Sequence, residues 1–399
     1  MILFRLRRPR FNLFDSKRNL TLLVIFLLIF PKGGIKFYDI PFTWGYLLLG
    51  IFSIVALTRK PVIVHRERLQ ALIAQAPFLC ICAFTMLING IQSIPMAISF
   101  WISFLFLPVL FFLLFSKDVE TFDSELFFHL FRKGIFFIAI YGIALFVFKQ
   151  LTGQFLEIPF LSVNIADMGH LEEKCINRGN VYKLISTYNN GNIYGICILM
   201  LLPLYSFLET SQWKHWIVKF SLIMTLSRTV WIGLIFHEIC YQWFSLKNKR
   251  FSMPKALFSF LLVFTLLAFT SSYYGFYWSF FADPTWGGRK EQLEAIANIG
   301  IFSTKPFDYI SEIVYAGIVQ SFGWAGFAAF IVAIAGPFCY QIFSKKLLPL
   351  QRCIAIGLAT YLFISASDGA ILLLPVMAIY WFLLSLLFRK SIAHTIYQK

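Results

Sequence analysis

Long apolar runs recur from one end of this chain to the other, and Lys and Arg collect in every second break between them. A helix needs roughly 20 apolar residues to cross about 30 Å of hydrocarbon. Hydrophobic residues make up 59% of the sequence, charged ones 14%, and Phe alone occurs 48 times. Soluble domains carry about a quarter charged residues, so water would not solvate the surface that such a chain exposes. The pattern predicts an all-α, polytopic membrane bundle, with 1–399 as one transmembrane domain.

The spans fall at 19–31, 40–57, 70–89, 94–115, 134–148, 191–208, 216–226, 229–245, 257–273, 315–338, 351–366 and 370–388. That is about twelve, which puts both termini on one side. Basic breaks support the alternation: Arg59-Lys60 to Arg68, Arg132-Lys133, Lys247 to Lys255, Lys345-Lys346 and Arg389-Lys390. Essentially the whole formal charge of +16 then falls on one face, which the positive-inside rule makes cytoplasmic. The same asymmetry argues against nucleic acid as a partner and for membrane lipids. The segment before Arg228 is too short for a straight crossing. A span that stops inside the membrane needs its freed backbone buried in protein or facing a watery cavity.

Two outer loops, about 149–190 and 274–314, exceed turn length, and loops this long in a compact bundle are often functional. Among the seven cysteines only Cys175 falls in an outer loop, so no intramolecular disulfide is expected there. The basic start (Arg5, Arg7, Arg8, Arg10) precedes an apolar run with no small-residue cleavage site, which reads as an uncleaved first span. The six histidines show no metal-ligand spacing, and neither a metal nor a cofactor is expected.

Charges on the outer side are few, so each is informative. Arg178 can meet a phosphate through a forked contact and Lys183 as a point charge. The run Ser186-Thr187-Tyr188-Asn189-Asn190-Gly191-Asn192 opens a span, either as a capped helix start or as an anion site to which Asn192 adds an amide. Arg228, between Leu226 and Val230-Trp231, either snorkels or binds a buried anion. Arg289 and Lys290 head a short amphipathic helix after Asp283-Pro284-Thr285-Trp286-Gly287-Gly288. Asp308 and Glu312 are spaced to share a helix face, and Glu312 reads as a general base or as a helix N-terminal charge. Tyr188, Trp286 and Tyr315 are candidate sugar-stacking rings or ordinary interface aromatics. Asp368, in Ser367-Asp368-Gly369, reads as a turn residue.

Four of these segments, in this order, resemble the O-antigen polymerase/ligase family of bacterial envelope glycosyltransferases. Arg178 with Thr187-Tyr188-Asn189-Asn190-Gly191-Asn192 is similar to that family's Arg, aromatic, Asn pattern. Ser227-Arg228 is similar to its Ser-Arg pair, and Gly288-Arg289 to its outer-loop Gly-Arg. Glu312-Ile313-Val314-Tyr315, with Gly323 downstream, is similar to the start of its next span. The resemblance covers roughly 175–335. Ligases of the family typically carry His-Asn where this chain has Glu312-Ile313, which favours a polymerase over a ligase.

The resemblance implies a GT-C-like bundle in the bacterial inner membrane that joins undecaprenyl-diphosphate-linked oligosaccharide repeats on the periplasmic side, without a metal. A chain-length regulator is a candidate partner. Arg228, Arg289 and Glu312 would be catalytic, and Arg178, Asn192, Tyr188 and Tyr315 substrate-binding. A lipid-linked glycan transporter or flippase is the alternative from another class.

Overall fold

The computed structural model describes residues 16–37, 40–58, 65–171, 182–245, 289–307, 312–344 and 346–389. The described residues are overwhelmingly helical, and five helical stretches are long and apolar enough to cross a membrane: Arg66–Asn89, Ile94–Leu114, Ser124–Thr152, Gly191–Leu208 and Val314–Ser344. Shorter apolar helices accompany them at Arg18–Ile29, Trp44–Thr58, Pro349–Ile364 and Leu374–Leu387. The expected span 257–273 lies outside the described residues.

In chain order the helices are α1 (Ser16–Ile29), α2 (Trp44–Thr58), α3 (Arg66–Ile73), α4 (Ala76–Asn89), α5 (Ile94–Trp101), α6 (Leu107–Val109), α7 (Ser116–Thr121) and α8 (Ser124–Thr152). There follow α9 (Gly191–Leu208), α10 (Gln212–Ile223), α11 (Arg228–Ser245), α12 (Arg289–Ala295), α13 (Val314–Ser344), α14 (Pro349–Ile364) and α15 (Leu374–Leu387). One element departs from the expectation of helix alone. The span expected from residue 40 starts at Trp44, because Gly34–Phe37 and Ile40–Thr43 pair as an antiparallel hairpin, β1 and β2. The hairpin lies against the loop after α8, with a bridge from Gly34 to Asn164 and a 2.5 Å bond from the Trp44 indole to the Phe160 carbonyl.

Helix α8 is 29 residues long, about 43 Å at 1.5 Å per residue, and so overruns the expected 134–148. Its limits are local. Asp123 caps the start by accepting from the Leu126 N–H at 3.0 Å, and Gly153 ends it in the left-handed region. Lys149 covers that end, donating to the Gly153 carbonyl and lying over the Phe155 and Tyr182 rings.

The centre of the bundle is α9, packed against α11 and α14. Small residues permit the approach. A Cβ at Gly195 would stand 2.2 Å from Val230 Cγ2, and one at Gly357 would stand 2.0 Å from the Met200 carbonyl oxygen. Within the same core, aromatic rings join the N-terminal helices to α13. Phe78 meets Phe100, Phe104, Phe322 and Phe330 at centroid distances of 5.3–6.0 Å, all edge-on.

Two helices are interrupted. Helix α10 has 12 residues, about 18 Å, and stops short of a full crossing as expected. Helix α13 breaks at Gly323, which has φ +76° and ψ −177°, a conformation reserved for glycine. The N–H groups released there, of Trp324 and Ala325, donate to the carbonyls of Gly300 and Ile301 at 3.3 and 3.0 Å. Ser303 adds a bond to the Gln320 carbonyl, and Asn89 at the end of α4 donates to the Ser303 carbonyl. The strap 299–303 thus supplies the acceptors that the broken helix lacks.

Candidate functional site

The loops expected on the outer side meet at one end of the bundle, and the turn Ser365–Gly369 between α14 and α15 lies at their centre. The sequence leading into α9 comes first. Ser186 and Asn189 both adopt positive φ (+49° and +55°) in a short helical turn, and Ser186 is held by a 2.7 Å bond to the Ile138 carbonyl. Asn190 then caps α9, accepting from the N–H groups of Asn192 and Ile193 at 2.8 and 3.2 Å. The capped-start reading of this run is therefore correct for Asn190, while Asn192 faces away into a polar cluster. Its amide nitrogen donates to Asp368 Oδ2 at 2.7 Å, and its amide oxygen accepts from the buried Lys183 ammonium at 3.4 Å.

The second contribution is the break between α10 and α11. Residues 224–227 turn with Leu226 at φ +50°, and Arg228 is the first residue of α11, half-buried. Next to it, the Thr229 and Ser367 hydroxyls share a 2.9 Å hydrogen bond. The start of α11 is thereby fastened to the central turn.

The third is the outer loop that begins with α12. Arg289 donates from Nε to the Ser367 carbonyl at 3.0 Å and from Nη2 to Glu312 Oε2 at 3.1 Å. Glu312 lies in the bend before α13, and its own carbonyl accepts from the Gly369 N–H at 3.4 Å. From below, the Tyr361 hydroxyl donates to the Gly369 carbonyl at 3.0 Å. Four separate segments thus hold one turn.

At the middle is Asp368, only 6% exposed. Burial and the neighbouring Glu312 carboxylate push its carboxyl up to about 6, against the opposing pull of the Asn192 hydrogen bond and the Arg289 and Lys183 charges. The cluster offers a cationic side, formed by Lys183, Arg289 and the start of α11, and a carboxylate able to exchange a proton near neutral pH. No family model, curated protein or solved structure matches this chain.

The structure brings together Asn192, Arg289 and Glu312 through direct bonds to the central turn, and sets Arg228 beside it. Two residues expected to touch substrate make packing contacts in the bundle, Tyr188 buried and Tyr315 half-buried. Tyr188 is fully enclosed, its hydroxyl donating to the Leu28 carbonyl at 2.8 Å and its ring packed on Tyr194, so it has no face to offer a sugar. Tyr315 donates to the Leu362 carbonyl at 2.5 Å and packs on Phe327 and Phe330, clamping α13 to α14. Arg178, Trp286, Gly288 and Asp308 lie outside the described residues, as does Cys175. Asp368 reads in the sequence as a turn residue and does lie in that turn, but its burial in the cluster is not legible there. Its only signal there was a charge next to an apolar span in a chain with few charges, and Ser-Asp-Gly is also ordinary turn chemistry.

Proposed function

We propose that this protein is a polysaccharide polymerase of the bacterial inner membrane, a GT-C-like glycosyltransferase of about twelve spans. It joins undecaprenyl-diphosphate-linked oligosaccharide repeats on the periplasmic face, with both termini in the cytoplasm. One observation carries the reading: Arg289, Lys183 and the Arg228 helix start, from three distant segments, converge on one buried turn at the end where the long loops meet. Those are the same segments on which the family resemblance rests.

In this reaction the growing chain leaves its diphosphate carrier as a sugar hydroxyl of the next lipid-linked repeat attacks the anomeric carbon. Negative charge builds on the departing diphosphate. Guanidinium groups fixed in a poorly solvated site stabilise that charge without reorganising. Arg289 is preset by its bond to Ser367, and Arg228 adds a fork at the N-terminus of α11, where backbone N–H groups also favour an anion.

The test has two parts. Reporter fusions at Met168 and Ser303 should read periplasmic, and fusions at Ser211 and Leu348 cytoplasmic. Deletion of the protein should leave single lipid-linked repeats, or lipid A core capped with one repeat. A cytoplasmic signal at Ser303 would put the cluster on the wrong side. Repeats stranded on the cytoplasmic leaflet would instead identify a transporter.

A further inference from the structure

We propose that Asp368 is the proton acceptor of this site. As the acceptor sugar's oxygen attacks the anomeric carbon, its hydroxyl proton passes to the Asp368 carboxylate. The new carbon–oxygen bond forms, and the bond from the anomeric carbon to the carrier phosphate breaks. The electron pair of that bond leaves with the diphosphate. The inference rests on the glycosyl-transfer reading above.

Placement comes first. Asp368 Oδ2 is occupied by Asn192, while Oδ1 carries no hydrogen bond among the described residues. The carboxylate is held still by its turn. Ser367 is bound through its carbonyl to Arg289 and through its hydroxyl to Thr229, and Gly369 through its N–H to Glu312 and its carbonyl to Tyr361. Asn192 is itself oriented by Lys183, which donates to the amide oxygen and so turns the amide nitrogen toward Asp368. A general base must be positioned before its basicity matters, and this one is positioned from three sides.

The surroundings supply the second argument. The charged and titratable groups facing Asp368 are Glu312 from the bend before α13, Arg289 from α12, Lys183 from the loop before α9 and Tyr361 from α14 beneath. Glu312, the carboxylate expected from sequence to act as base, is 47% exposed in its side chain and already paired with Arg289. It serves better to orient that guanidinium. Asp368 is the enclosed one, and its carboxyl, pushed up to about 6, lies close to the pH at which a base is most effective.

The raised value also fixes the sign of its effect on stability. A carboxyl that burial pushes up favours the folded state when protonated. That contribution is complete below the ordinary carboxyl range and is lost as pH rises through about 6. A neutral isostere should therefore stabilise the protein at pH 8 while disabling it, a combination that a structural role does not produce.

The experiment compares wild type with Asp368→Asn, which still accepts from Asn192 but cannot take the proton. Both full-length proteins are purified in detergent and given the lipid-linked repeat extracted from a deletion strain, between pH 5 and pH 8. Wild type should lose rate toward acid pH with a midpoint near 6. Asp368→Asn should be slower by ~10²–10⁴-fold, without that acid limb, and should melt at or above the wild-type temperature at pH 8. A variant within threefold of wild type overturns the proposal, as does a wild-type profile that is flat from pH 5 to pH 7 even where the variant fails to fold. Wild-type protein that extends no repeat under any condition removes the glycosyl-transfer reading and this inference with it. Polymerising wild type with an equally active variant removes Asp368 alone.

Discussion

The two ends of the bundle both bury charge, and they do so differently. At the end expected to face the cytoplasm, Arg68 has no exposed surface, pairs with Glu120 at 2.8 Å and donates to the Ser116 carbonyl at 3.0 Å. Arg389 lies over the Phe122 ring at 4.3 Å and donates to the Phe122 carbonyl. Those contacts tie α3, α7 and the end of α15 into a lock in which a cation and a carboxylate meet directly. At the other end, Asp368 is buried against an amide and sits near a second carboxylate, with Lys183 and Arg289 placed around it rather than on it. Burial of a charge is thus a poor marker of function. What separates the two ends is that the neighbours of Asp368 come from many segments of the chain.

That contrast breaks down if variants at the two ends behave alike. The largest effect is expected from the arginines near Asp368. Arg289→Ala and Arg228→Ala should each slow polymerisation ~10²–10³-fold, collapsing long glycan ladders to short ones at normal membrane abundance. Arg228→Lys should fall between, because it keeps the charge and loses the fork. A lysine variant with a wild-type ladder would make Arg228 a snorkelling anchor.

Arg68→Ala should do the reverse. It removes the buried guanidinium that pairs with Glu120 at 2.8 Å and holds the Ser116 carbonyl, at a cost of about 3–5 kcal/mol. Thermal melting and membrane abundance should drop, while the chain lengths made per surviving molecule stay the same. A stable Arg68→Ala protein with short chains would give the inner end a role in chemistry.

Gly323→Ala tests the link between the broken helix and the outer loop. The backbone conformation alone costs an alanine about 1–3 kcal/mol, and its Cβ would stand 2.3 Å from the Ile301 carbonyl oxygen. The strap must shift, so both melting temperature and chain length should fall. Unchanged chain lengths would show that α12 and its Arg289 are placed without the strap.

The smallest effect is expected at Tyr188. Tyr188→Phe removes one hydrogen bond to Leu28, worth about 1 kcal/mol, and should leave the ladder as it was. Shortened chains would restore Tyr188 to the site.

Hydropathy and charge asymmetry determine that this is a bundle of apolar helices, because each helix satisfies its own backbone and needs only an apolar surface of sufficient length. Sequence also determined where the polar clusters fall, and Asn192, Arg228, Arg289 and Glu312 all lie at or beside the central turn. It even marked α10 as too short, since helix length follows from residue count. What only the tertiary structure decided is which of these groups meet. Asn192 and Asp368 are 176 residues apart, and nothing local in either segment encodes their 2.7 Å bond. The turn Ser367-Asp368-Gly369 reads the same in sequence whether it faces water or a cluster of charges. Tyr188 is enclosed and Tyr315 clamps α13 to α14 for the same reason, since an aromatic ring has one composition and two possible surroundings. Packing of the small residues Gly195, Gly233 and Gly357 draws α9, α11 and α14 together, and the starts of α9 and α11 then reach the turn through Asn192 and Thr229.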